Sequence, residues 1–139
     1  MTGFSVLQKL LSFVTAFTVY FEVEGNKLEG SIPSELFSLP VIRRLNFQDN
    51  TQLEGTIPAN VSTTLRSLRL GGTRMGGPLR DSLFDVIGMT ELNLERASFN
   101  GTLSESFANF RDIAILQLNN NSFTGIIPTA FDQLDHLSK

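Results

Sequence analysis

The sequence has no cysteine, no tryptophan, one tyrosine and one histidine among 139 residues, and charged side chains make up only 18% of it. Without cysteine, neither a disulfide framework nor a thiolate metal site can be built. The single histidine, His136, has Asp132 one helical turn before it, but no serine sits in a recognisable nucleophile setting, so His136 reads as an exposed terminal side chain. The carboxylate pairs Glu22/Glu24 and Glu91/Glu95 come without a matching metal-ligand set. No catalytic residue, no metal and no small-molecule cofactor is therefore expected. With 14 acidic and 11 basic residues the net charge is −3, which leaves no footprint for a nucleic-acid partner. Long hydrophobic runs are also scarce. The most apolar stretch, Leu10 to Phe21, falls short of the ~20 residues that span a bilayer.

What is present is one short pattern, repeated. Residues 113–128 show it best: Leu116-x-Leu118, then Asn121, Phe123, Gly125 and Ile127-Pro128. The same order returns as Phe21-x-Val23, Asn26, Leu28, Gly30, Ile32-Pro33, and as Leu45-x-Phe47, Asn50, Leu53, Gly55, Ile57-Pro58 with one extra residue after Asn50. Two looser copies read Leu68-x-Leu70, Thr73, Met75, Gly77, Leu79 and Leu92-x-Leu94, Ala97, Phe99, Gly101, Leu103. The five glycines recur at steps of 25, 22, 24 and 24 residues. A fixed period in this range marks a solenoid, in which no repeat can bury its apolar face alone and stacking makes the core continuous.

The pattern L-x-x-L-x-L-x-x-N-x-L-x-G-x-I-P resembles the plant-type leucine-rich repeat found in receptor-like proteins, receptor-like kinases and polygalacturonase inhibitors. The resemblance covers residues 18–139. It implies an α/β solenoid, a leucine-rich repeat horseshoe of about five repeats with a parallel sheet on its concave face. The family carries Cys pairs in its end caps; this chain has none, which puts such caps in doubt.

Within that frame, five strands are predicted around Glu22, Asn46, Arg69, Asn93 and Gln117, with the flanking apolar residues pointing inward. The segments Leu36-Phe37-x-Leu39, Leu83-Phe84-x-x-Ile87, Phe107-x-x-Phe110 and Phe131-x-x-Leu134 close the outer side, and Leu134-x-x-Leu137 begins what looks like a sixth repeat. Asn26, Asn50 and Asn121 are expected to bond backbone groups of adjacent turns that water cannot reach. Thr73 can do part of this work and Ala97 none, so the third and fourth repeats are expected to be the weak link, and Ala97→Asn to stabilise. The run Gly71–Gly77 lacks the Lys-Ser/Thr ending of a phosphate loop and is already assigned by the repeat register. Residues 1–17 form an apolar segment with two readings: a helix covering the end of the coil, through Leu7, Leu10, Leu11, Val14 and Phe17, or the remnant of a targeting segment.

Function falls to the outward residues of the strands. The candidate partner-binding set is Tyr20, Glu22, Arg44, Asn46, Arg69, Glu91, Asn93, Glu95 and Gln117. Its charge is banded: acids at Glu22 and Glu24, bases at Arg44 and Arg69, acids again at Glu91 and Glu95. The bands either pair with one another or form a docking strip for a protein or peptide. The resemblance implies a non-catalytic recognition module, the extracellular ligand-binding segment of a receptor-like protein. A structural stretch of a longer array, or a secreted enzyme inhibitor, is the alternative. Asn60, Asn100 and Asn120 begin glycosylation sequons, usable only if the chain is secreted or displayed at the cell surface. Any membrane attachment would run through the ambiguous first segment or one outside this chain.

Overall fold

The computed structural model describes residues 6–138. A short helix α1 (Val6–Leu10) is followed by ten strands: β1 (Tyr20–Glu22), β2 (Glu29–Ser31), β3 (Arg44–Asn46), β4 (Gln52–Thr56), β5 (Ser67–Arg69), β6 (Arg74–Pro78), β7 (Glu91–Asn93), β8 (Ser98–Thr102), β9 (Ile115–Gln117) and β10 (Ser122–Thr124). The odd strands make one five-stranded sheet in the order β1-β3-β5-β7-β9, all parallel. Tyr20, Arg44, Ser67, Glu91 and Ile115 stand in register across it, as the repeat alignment predicts. Each strand sits about one residue earlier than expected, centred on the apolar residue rather than the polar one after it. The ladder continues beyond the strands, with Gly25 N donating to Gln48 O, Asp49 N to Gly71 O and Gly72 N to Glu95 O. At the far end Ser138 N donates to Ala114 O at 2.8 Å, the same step by which Ala114 N reaches Thr90 O.

The core lies between this sheet and the outer segments. Leu45, Phe47, Leu68, Leu70, Leu92 and Leu94 are wholly buried, whereas the equivalent residues of the first and last rungs, such as Phe21 and Leu116, have a neighbour on one side only and are half-buried. The outer segments form five-residue 3₁₀ helices at Ser34–Ser38, Asp81–Asp85, Glu105–Asn109 and Thr129–Gln133. Pro33 and Pro128 precede two of them in the extended conformation their rings favour. Phe84, Phe107, Phe110 and Phe131 stack between them, with ring centroids 4.9–5.9 Å apart and several edge-to-face. Ile87, assigned to this layer by sequence, is instead 65% exposed, and Val86 takes the buried place. The second rung has no outer helix, consistent with its step of 22 residues.

The even strands form a second parallel sheet, β10-β8-β6-β4-β2, that the repeat pattern did not announce. Its register slips at each rung. Gly30 faces Leu53, Gly55 faces Met75, Gly77 faces Phe99, and Gly101 faces Phe123, so each glycine meets the apolar position of the next rung. Gly77 shows why no side chain is tolerated: its φ is +84°, and an added Cβ would lie 2.9 Å from the Thr56 methyl.

The asparagines act backwards along the coil. Asn50, fully buried, accepts from Leu28 N at 3.1 Å and donates to Val23 O at 3.0 Å, both in the preceding rung. Asn121 does the same for Phe99 N and Leu94 O. Asn26 has no earlier rung to serve; it is exposed and bonds only Val23 O and Glu24 O of its own turn. The expected weakness at rungs three and four is met by two local repairs. The extra residue after Asn50 lets Leu53 N bond Asn50 O directly. The Thr73 hydroxyl donates to Leu70 O at 2.7 Å and accepts from Met75 N at 3.2 Å. An asparagine at position 97 would reach those same two groups, by the offsets of 22 and 27 residues seen for Asn50 and Asn121. Ala97 therefore has nothing left to satisfy.

At the other end, Leu7 of α1 is wholly buried against the core, and Leu10, Leu11 and Val14 pack beside it. The helical spacing breaks earlier than expected. A 3₁₀ turn follows at Leu11–Phe13, Val14 is extended, and Phe17 is 86% exposed. Thr15 and Thr18 hold the chain in a turn there, Thr18 Oγ accepting from Thr15 N and Thr15 Oγ from Phe17 N. Residues 1–5 of the apolar segment, and Lys139, lie outside the described residues.

Candidate functional site

The first strand residues place Tyr20, Arg44, Ser67, Glu91 and Ile115 on the open face of the sheet formed by the odd strands, and the third ones Glu22, Asn46, Arg69, Asn93 and Gln117. Parallel rungs stand about 4.8 Å apart, so adjacent side chains in a row are within bonding reach. Arg44 Nη1 lies 2.8 Å from Glu22 Oε1, with its guanidinium 5.6 Å from the centre of the Tyr20 ring. Arg69 Nε lies 2.7 Å from Glu91 Oε1, which also accepts from Ser67 Oγ at 2.8 Å. The charge bands thus pair along the sheet. Burial pushes the Glu91 carboxyl up, but hydrogen bonds from Arg69 and Ser67, with the charges of Arg69 and Arg44, outweigh it and hold the group below its ordinary value. The hydrogen bond to Glu91 raises Arg69 against the opposing effect of its burial.

Several members of the expected set are less available than their outward register suggests. Asn46 and Asn93 are only 2% and 5% exposed. Asn46 donates to Glu24 Oε2 at 2.7 Å and accepts from Gln48 N; Asn93 donates to Gln48 Oε1 at 3.2 Å and accepts from Glu95 N. These amides organise their neighbours. Gly71 and Gly72, in the middle rung beside Arg69, are buried. The Gln48–Asn93 bond and the ion pair Asp49–Arg96, at 3.2 Å, run from the second rung to the fourth, on either side of the third. A Cβ on Gly72 would collide with Asp49 Oδ1, and one on Gly71 with Asn93 Oδ1. Sequence reasoning missed Asp49 and Arg96. They stand with Gly25, Gly72 and Asn120 at a turn where all five rungs have positive φ, a conformation that Gly, Asn and Asp favour and that Arg does not announce.

Elsewhere, Asn60, Asn100 and Asn120 are exposed, as are Asp132 and His136. Among the described residues no cluster of His, Asp or Glu could hold a metal ion, and no helix is long and apolar enough to cross a membrane.

Against known proteins, the family model for the Leucine Rich Repeat matches residues 113–134, the best-formed copy of the pattern. That stretch is a leucine-rich repeat. Among curated relatives, Receptor-like protein 18 of Arabidopsis thaliana is 28% identical over 89% of the chain, and Receptor-like protein 32 of the same plant is 32% identical over 86%. The chain spans only 15% and 14% of their respective lengths. Among solved structures, the plant peptide hormone receptor RGFR1 in complex with RGF2 superposes with a TM-score of 0.80 over 86% of the chain and 19% of the receptor. At 22% identity that likeness shows the leucine-rich repeat fold.

Proposed function

We propose that the leucine-rich repeats form a non-catalytic recognition module, part of the extracellular ligand-binding segment of a receptor-like protein, and that its partner is a protein or peptide docking on the concave sheet. The carrying observation is the row of exposed and half-buried polar side chains held on a parallel sheet above a filled core. Ion pairs already orient Arg44, Arg69 and Glu91, so a partner meets groups that lose little further freedom on binding. Arginine's planar, many-donor head suits such contacts. The names of the relatives, receptor-like proteins, and the bound hormone of RGFR1 support this reading. A second reading, a spacer within a longer array, draws on the same ion pairs, which could simply neutralise one another, and on the Ser138 bond that starts a further rung.

The two readings separate in one experiment. With a partner captured from an extracellular fraction of the source, Arg69→Glu is expected to weaken binding by roughly tenfold or more while the melting curve stays nearly unchanged. Asp81→Lys, on the outer helix, is expected to leave binding alone. Full affinity for the first and loss for the second would move the site to the convex side.

A further inference from the structure

The concave charges do not cancel. Together with the adjoining turn they comprise five carboxylates, Glu22, Glu24, Asp49, Glu91 and Glu95, against three guanidiniums, Arg44, Arg69 and Arg96. Arg44 is spent on Glu22, Arg69 on Glu91, and Arg96 on Asp49. Glu24 hydrogen-bonds only the neutral Asn46 amide and feels Arg69 at longer range, and Glu95 has only a distant share of Arg96 at 3.7 Å. Both stand in one row, Glu24 on the first rung and Glu95 on the fourth. The floor between them is neutral: Gln48 is tied to Asn93, and Gly71 has no side chain.

We propose that this row selects a cationic extended segment, with two basic side chains four positions apart, running across the rungs. The proposal rests on the concave face being the docking face and assigns one cationic stretch of the partner to this row, while Arg69, in the neighbouring row, contacts the rest of the partner. Three rung steps of about 4.8 Å separate the two backbone positions by roughly 14 Å, and both side chains lean inward, Glu24 toward Asn46 and Glu95 toward Gly71. In an extended chain, residues i and i+4 share one face and lie about 13 Å apart. One segment can therefore place a lysine or arginine at each carboxylate. An anionic segment would have to break an existing ion pair before it gained one.

The test uses the whole chain and three labelled Thr/Gln peptides in fluorescence anisotropy. One carries two lysines four positions apart, one two lysines three positions apart, and one two glutamates four positions apart. The first is expected to bind about fivefold or more tightly than the others and to weaken with added salt. Glu24→Gln and Glu95→Gln should each remove most of that preference without shifting the melt. Equal binding of both lysine spacings, indifference to the two substitutions, or no saturable binding of the first peptide in the millimolar range would overturn the proposal. Preference for the glutamate peptide, lost in Arg69→Glu, would overturn the charge assignment while leaving the concave face as the site. Sensitivity only to Asp81→Lys would remove the concave reading itself.

Discussion

Thr73 and Ala97 offer the sharpest test of how the coil is held together. The Thr73 side chain is buried, and its hydroxyl pairs Leu70 O and Met75 N. Thr73→Ala takes away the partner of two backbone groups in a place water does not reach, each worth about 1–3 kcal/mol when left unpaired. A loss of about 2–4 kcal/mol is expected, allowing for some relaxation around Met75. Ala97→Asn alone should change stability by only about 0.5 kcal/mol or less, because the groups its amide would reach are already bonded. In the double variant the introduced asparagine meets an alanine one rung earlier, the arrangement that Asn121 and Ala97 already have, with Asn121 bonding Phe99 N and Leu94 O. The double variant should therefore recover most of the loss. Urea unfolding of all four proteins gives the coupling energy directly, expected above about 1 kcal/mol. Strictly additive losses would refute the reasoning, and so would an Ala97→Asn single variant as stabilised as the rescued pair.

Leu94 is wholly buried and Glu95 faces out, so Leu94→Ala should cost about 2–5 kcal/mol and Glu95→Ala about 0.5 or less; equal losses in denaturant melts would place the strand register off by one. Glu91 is held below its ordinary carboxylate value of 4.5, so its stabilisation is fully present above that pH and is lost as pH falls through the depressed folded value. Unfolding midpoints of the wild type and Glu91→Gln at about pH 6 and about pH 3 should therefore converge on acidification, and a constant difference would contradict the pairing. Glu105 accepts from Thr129 N and from Ala130 N, at 3.1 and 2.8 Å, capping the outer helix of the next rung; Glu105→Ala should cost about 0.5–2 kcal/mol by the same melts, and no loss would mean that solvent replaces the cap.

What the sequence determined by itself was everything that recurs. Leu45, Leu68 and Leu92 return at near-constant steps, and a residue that returns once per turn of a coil must stack on its copy. Strand alternation then settles which residues point inward, so the first sheet, its register and the membership of the concave face were legible before any coordinates. The second sheet was not, because its strands are only three to five residues long, four of the five carry a glycine, and they pair through the slip between rungs. Availability on the concave face was also decided in three dimensions. Asn46 and Asn93 have outward register yet are buried, because bonds to Glu24 and Gln48 draw them down among their neighbours. Asp49 and Arg96 stand 47 residues apart in the chain and meet only because two rungs bring them together. A repeat pattern describes one rung at a time, whereas charge pairing and exposure belong to side chains on different rungs, one or two apart, so they become visible only when the coil has stacked.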